Sequence, residues 1–231
     1  MRRLLLIALF ISPLAQAEFH NEAEVGLVNT SGNSQLETYN LISKNSYEKN
    51  LHKIKFGGHY TYGTSEGVLS SRNWDIHTNY VYRFSKRVGL LLGEIIEGDK
   101  FAGIETSYNT DVGSNIILHK SDKHSVESEV AYRYTVEKRF EQAKEYFNKA
   151  LLQASYKFDY NKTTSFETKV EYVPNFDESK DWQLNVLSSF RNTINSMFSL
   201  KVTYEWKKDN LPTEGATAYD RKITTSLIAT F

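Results

Sequence analysis

Along most of this chain, every second residue is uncharged and the residues between them carry the charge. From Ile54 the even positions read Phe56, Gly58, Tyr60, Tyr62, and from Trp74 they read Ile76, Thr78, Tyr80, Tyr82, Phe84. The same record continues through Ile104–Ile116, Val126–Val136, Ala150–Phe158, Phe166–Tyr172, Trp182–Phe190 and Phe198–Trp206. The odd positions between them include Lys53, Lys55, His59, Asp75, His77, Asp111, Glu129, Arg133, Lys157, Glu167, Lys169, Lys201 and Glu205. A period of two places alternate residues on opposite faces of a strand. A charge facing lipid near the bilayer midplane costs roughly 2–4 kcal/mol, so a face without charge suits lipid and the other suits water. The pattern predicts an all-β chain, a transmembrane antiparallel up-and-down β-barrel of about 12 strands.

The ends fit that prediction. Arg2 and Arg3 precede an apolar run, Leu4 to Leu14, and Ala15-Gln16-Ala17 has the small-x-small form of a cleavage site. That run is shorter than the roughly 20 residues a spanning helix needs. Residues 1–17 are therefore expected to be a cleaved signal peptide, and 18–231 an outer-membrane barrel domain exported in a Gram-negative cell. Removing Arg2 and Arg3 leaves 26 basic residues (28 − 2) against 28 acidic ones, with no basic block, so nucleic acid is not an expected partner. There is no cysteine, hence no disulfide framework. Stability has to come from sheet closure.

Strand facing extends to both ends in the opposite parity: Ala23, Val25, Leu27 and Ile223, Thr225, Leu227, Ala229 point outward. Strands near 35–47 and 88–97 are needed to complete the hairpins, but their facing is ambiguous. Leu90, Leu91 and Leu92 in a row defeat an alternation test. With a periplasmic N-terminus, the segments 30–35, 63–72, 97–103, 137–145, 174–181 and 208–218 become long extracellular connections. Those near 48–51, 85–87, 119–123, 160–163 and 193–196 become short periplasmic turns. Trp74, Trp182 and Trp206 then fall outward at one membrane interface, and Phe84, Phe190 and Phe231 at the other. The alternating strand ending in Phe231 is similar to the terminal signal read by the barrel-assembly machinery, which with outer-membrane lipids is the expected partner.

The segment Glu22-Ala23-Glu24-Val25-Gly26-Leu27-Val28-Asn29-Thr30-Ser31-Gly32-Asn33-Ser34 resembles the opening of the domain of unknown function 481 family, YdiY-like salt-induced outer-membrane proteins. The compact motif is Thr30 to Asn33, and Gly32-Asn33 is also a tight-turn signal. The resemblance implies an outer-membrane location and brings no substrate.

No phosphate loop, His-Glu-x-x-His or Gly-x-Ser-x-Gly is present, so no catalytic residue and no cofactor is assigned. The nearest approaches to an outer-membrane lipid hydrolase are His77-Thr78-Asn79 and His124-Ser125, and neither has the serine and histidine on one face. His59 and His77 beside Asp75 could hold a metal, but a lumenal hydrogen-bond network is the preferred account and no metal site is assigned. The inward charges are expected to interleave strand to strand, with Glu129, Arg133, Lys157 and Glu167 meeting in a ladder across a narrow lumen. The function expected is a narrow passive channel for ions or small polar solutes. The alternative is a closed structural or envelope-stress barrel without transport.

Overall fold

A computed structural model describes residues 18–30, 36–212 and 217–231. The expected signal peptide and most of the Thr30–Asn33 motif lie outside the described residues. The chain forms twelve antiparallel strands: β1 (Glu18–Thr30), β2 (Leu36–Lys49), β3 (His52–Ser65), β4 (Val68–Tyr82), β5 (Val88–Asp99) and β6 (Ile104–Lys120), followed by β7 (His124–Arg139), β8 (Lys144–Asp159), β9 (Thr164–Pro174), β10 (Trp182–Thr193), β11 (Phe198–Asp209) and β12 (Tyr219–Thr230). Each pairs with its sequence neighbours, and β1 pairs with β12 to close the barrel. Glu18 and Phe231 therefore lie at one rim, called here the terminal rim; the opposite end is the far rim.

Burial follows the predicted parity. Tyr60, Ile76, Val130, Val170 and Val202 are exposed on the outside, while Thr61, Asp111, Ala131, Ser189 and Lys201 are buried within. β1 and β12 run in the opposite parity, as expected. β2 joins them, with Tyr39 and Leu41 outside and Asn40 inside, so the parity changes at the turn Asn50–Leu51, where Asn50 has φ 56°.

The three leucines of β5 divide between the faces. Leu91 is 1% exposed inside the barrel, and Leu90 and Leu92 are each 43% exposed outside. Leu91 belongs to an inward apolar row running strand to strand: Val81 opposite Leu91, Leu91 opposite Gly113, Gly113 opposite Ala131, Ala131 opposite Leu151. Val173 continues the buried cluster. Gly113 is required there, because a Cβ would stand 2.1 Å from the Val130 carbonyl oxygen.

Fixing the facing of β5, which the alternation leaves open, also places one acid on the outer face. Glu94 lies on the outward parity, opposite Thr78, and accepts a hydrogen bond of 2.7 Å from Thr110 Oγ1. Thr78 lies midway along β4 between outward Trp74 and Tyr82. Glu94 is thus a lone carboxyl at mid-height of the apolar band.

The connections differ from the expected alternation of long and short. β3 and β4 are joined by Glu66 and Gly67 alone, with φ of 53° and 76°, a tight hairpin turn. The link between β4 and β5 spans 83–87 and is longer. The segment 63–72 is strand rather than loop because the hairpin continues past the apolar band. In water its outward residues need not be apolar, so its composition reads like a loop.

Replacing Val186, which is outward and midway between Trp182 and Phe190, by Arg should lower unfolding free energy by about 2–4 kcal/mol. Lys169→Arg, on the neighbouring strand and opposite face, should change it by less than about 0.5 kcal/mol. Denaturant titration of protein folded into lipid vesicles measures both, and equal tolerance at the two sites contradicts the facing. In the same assay Glu94→Leu should stabilise the barrel, by about 1–2 kcal/mol, since it removes a polar group from the lipid face.

A charged collar inside the barrel

The rim aromatics mark height, and the inward neighbours of these residues define the site. Trp74, Tyr134, Tyr172 and Trp206 stand outward toward the far rim; Asp75, Arg133, Glu171, Glu205 and Lys207 are their immediate neighbours and face inward. His59, next to outward Tyr60, and Glu97, next to Gly98, join them. Gly98 is where Trp74 packs: a Cβ there would be 2.7 Å from Trp74 Nε1.

These side chains interact around and across the lumen. Arg133 grips Asp111 bidentately, Nε to Oδ1 at 2.7 Å and Nη2 to Oδ2 at 2.8 Å, with both residues buried. It also interacts electrostatically with Glu97 of β5 and Glu171 of β9. Asn109 Nδ2 donates to Glu97 Oε1 at 2.9 Å, and Thr135 Oγ1 donates to Asn109 Oδ1 at 2.7 Å. Lys207 pairs with Glu205 at 3.1 Å and interacts with Glu97 and Asp99 of β5. β11 and β5 are six strands apart in a ring of twelve, so these two carboxylates lie on the wall facing β11.

The histidine cluster is assembled as a hydrogen-bond network. Asp75 accepts from His59 Nδ1 at one oxygen and from His77 Nδ1 at the other, the latter at 2.8 Å, while His59 Nε2 faces Asn73 Oδ1 at 2.9 Å. Both histidine nitrogens nearest the carboxylate are engaged by it. Among the described residues no group of three His, Cys, Asp or Glu side chains has metal-holding geometry.

The expected four-residue ladder is not brought together. Arg133 bonds Asp111 rather than Glu129 or Glu167. Glu129 accepts from Asn115 at 3.0 Å and Gln153 at 3.3 Å, and Asn115 in turn accepts from Arg83. Lys157 pairs with Asp159 at 3.1 Å near the terminal rim, and Glu167 stands opposite Lys157 on the neighbouring strand with no side-chain bond among the described residues. Short-range pairing across one hydrogen-bonded rung, as for Asp111 and Arg133, wins over ladders spanning several strands. Nor do the signs interleave evenly. The β4–β7 wall carries an excess of inward acids, Asp75, Glu97, Asp111, Glu127, Glu129 and Glu137 against Arg133 and Arg139. On β11, β12 and β1–β3, by contrast, the inward lysines Lys44, Lys53, Lys55, Lys201, Lys207 and Lys222 are matched by Glu22, Glu24, Glu48, Glu205, Asp209 and Asp220. Glu97, Glu171, Glu205 and Lys207 escape a reading of the sequence that looks for motifs. The available signal is their position, one residue from a rim aromatic in the inward parity.

The hydrolase candidates do not converge. His124 stacks on Phe158 with centroids 4.8 Å apart and bonds Tyr156 Oη at 2.9 Å, on the outward side, while Ser125 has the other parity.

The outward aromatics gather at both rims. Tyr172 and Trp182 lie 5.9 Å apart and Trp206 and Tyr219 6.3 Å apart at the far rim. At the terminal rim Phe84, Phe190 and Phe231 are exposed, and the Phe231 amide donates to the Asn21 carbonyl at 3.0 Å.

Arg133→Met should cost about 3–5 kcal/mol, because it strands Asp111 as a buried unpaired carboxylate. Adding Asp111→Leu should recover most of that loss. Denaturant unfolding of both variants checks the pair; a double variant no more stable than the single one contradicts it.

Similarity in structure to solved proteins is low in sequence and extensive in coverage. The NanC porin shares 10% identity at a TM-score of 0.58, over 90% of this chain and 98% of that one. An outer membrane channel from Pseudomonas putida F1 shares 10% at 0.52, over 96% and 100%. The KdgM porin in complex with disordered oligogalacturonate shares 12% at 0.51, over 91% and 99%. No curated protein matches the chain in sequence. The family model described as "Protein of unknown function, DUF481" matches residues 23–231, and the chain belongs to that family.

Proposed function

We propose that the protein is a narrow passive channel for ions or small polar solutes in a Gram-negative outer membrane. It is exported through a cleaved signal peptide, folded by the barrel-assembly machinery, and works without catalysis. The observation that carries this reading is His77. It faces inward beside Thr78, at mid-height of β4, and its side chain is 32% accessible. Space for water therefore extends well inside the rims along this wall. A dry, packed interior would enclose such a polar ring as the β6–β7 wall encloses Arg133 and Asp111, whose side chains are 8% and 3% accessible.

The lumen is unevenly filled. Side chains of β6–β8 such as Asp111, Arg133, Thr135 and Lys149 are buried. His59, His77, Lys169 and Lys207 keep about a third to a half of their side-chain surface. The passage thus runs beside the packed β6–β8 wall. Twelve strands lie between filled eight-stranded barrels and wide pores, which suits a narrow route. The structural likeness to porins is consistent with it.

Single-channel recording of the full chain in a planar bilayer should show small, passive conductance. Lys207→Gln removes one of the two permanent cations of the collar and leaves Arg133 held by Asp111, with Glu97, Asp99 and Glu205 on the lining, so permeation should shift toward cations. If wild type and variant are both electrically silent, the channel reading fails and a closed structural barrel replaces it.

A further inference from the structure

On the outer surface of β10–β12, at the far rim, aromatic rings and cations form a compact patch. Lys208 is opposite Leu184 on one side and Tyr219 on the other, which places it on the lipid-facing parity. Its Nζ lies 4.5 Å from the centroid of the Trp182 ring and 5.4 Å from that of Tyr219. Arg221 is opposite Trp206, also outward and exposed. Trp206 and Tyr219 lie against each other at 6.3 Å.

The carboxylates nearest in sequence turn away. Asp209 and Asp220 have the inward parity; Asp209 accepts from Gln183 at 3.3 Å and Asp220 from Thr217 at 3.4 Å. Among the described residues, neither Lys208 nor Arg221 is in an ion pair. Lys138, an outward cation elsewhere on the same rim, pairs with Glu105 at 2.6 Å, and Arg72 and Lys144, outward on that rim and among the described residues also in no ion pair, stand over no aromatic ring. Two cations without counterions, held over tryptophan and tyrosine at the height where such rings meet lipid headgroups, lack one thing: an anion at that height.

We infer that this patch binds the phosphate of a lipid headgroup in the leaflet at the far rim, with Lys208 and Arg221 as the phosphate ligands and Trp182, Trp206 and Tyr219 as the platform beneath the headgroup. The chemistry favours a phosphate carried by a lipid over a free one. The rings anchor an amphiphile at the interface, and the two cations stand on the outside of the barrel, where a headgroup arrives already oriented. A guanidinium offers two parallel N–H donors to phosphate, and the lysine adds a point charge. This inference rests on the barrel spanning a membrane and is independent of whether the lumen conducts.

The test uses the full chain folded in neutral detergent, with lipid retention measured by native mass spectrometry against diphosphorylated lipid A, phosphatidylglycerol and phosphatidylcholine. Wild type should retain a phosphorylated anionic lipid in preference to phosphatidylcholine, and the double variant Lys208→Gln, Arg221→Gln should weaken that binding at least tenfold. Both positions are on the surface, and an unchanged shift in gel mobility on boiling confirms that the variant folds. The control Arg72→Gln, Lys144→Gln removes two other outward cations of the same rim and should leave binding within twofold. The comparison of lipid A with phosphatidylglycerol identifies which headgroup carries the phosphate. Equal loss in the control pair, unchanged binding in the double variant, or displacement of the lipid by millimolar inorganic phosphate would each overturn the inference.

Discussion

Closure of the sheet is the interaction on which everything else rests. A strand edge in lipid exposes backbone donors and acceptors with no partner, and each costs several kcal/mol there. The β1–β12 seam removes the edge, but its ladder is short, from Glu22 opposite Thr230 to Gly26 opposite Ser226, where β1 and β2 pair from Glu18 to Thr30. Inward charges reinforce it. Glu24 of β1 pairs with Lys201 of β11, and Glu22 of β1 with Arg191 of β10, each passing over β12 inside the barrel. Arg191 also donates to Thr230 at 3.3 Å, and Phe231 bonds Asn21. The polar interior thus holds together the two ends of the chain where the backbone holds them least.

That closure dictates the distribution of chemistry. Once the outward residues must be apolar, the period of two forces nearly every charged strand residue into the lumen. Crowded together, those charges are stable only when paired or wetted. Both solutions occur on the same barrel. Along β6–β8, rungs such as Asp111 with Arg133 are buried, and the apolar row from Val81 to Leu151 fills the space between polar groups. Around Lys207 and the His59–Asp75–His77 cluster, the charged and polar groups have partners, and Lys207, His59 and His77 keep about a third to a half of their side-chain surface accessible.

Most of this was legible in the sequence wherever alternation was unbroken. The strand number, the facing of β1, β3, β4 and β6–β12, and the outward tryptophans follow directly from parity. What escaped has a physical reason in each case. Leu90-Leu91-Leu92 hides its parity because Leu91 contributes to an apolar row inside the lumen, an arrangement that a polar-in rule does not anticipate. Glu94 was hidden by the same ambiguity. The hairpin at Glu66–Gly67 looked like a long loop because strands that leave the membrane lose their apolar face while keeping their hydrogen bonds. Pairing inside the lumen was the least legible, since parity says which residues face inward but not which reach one another.

The collar shows why strand number alone does not set the width of such a barrel. Twelve strands fix a circumference, but the open cross-section depends on what the inward residues do with it. Gly113 and Ala131 let the walls and their neighbours pack closely on one side, and Leu91 and Leu151 occupy the room so released. On the other side the inward lysines are paired, Lys201 with Glu24 and Lys207 with Glu205, and Lys207 keeps half of its side-chain surface. In the proposed channel a solute would pass between an acid-rich wall on β4–β7 and a wall of paired acids and bases, and so cross a transverse field rather than a uniform one. Such a field would order a dipolar solute and favour cations along the β4–β7 side. Any selectivity of that channel would follow from how the charges are arranged around the wall, and a count of acids and bases, equal over the whole chain, does not capture it.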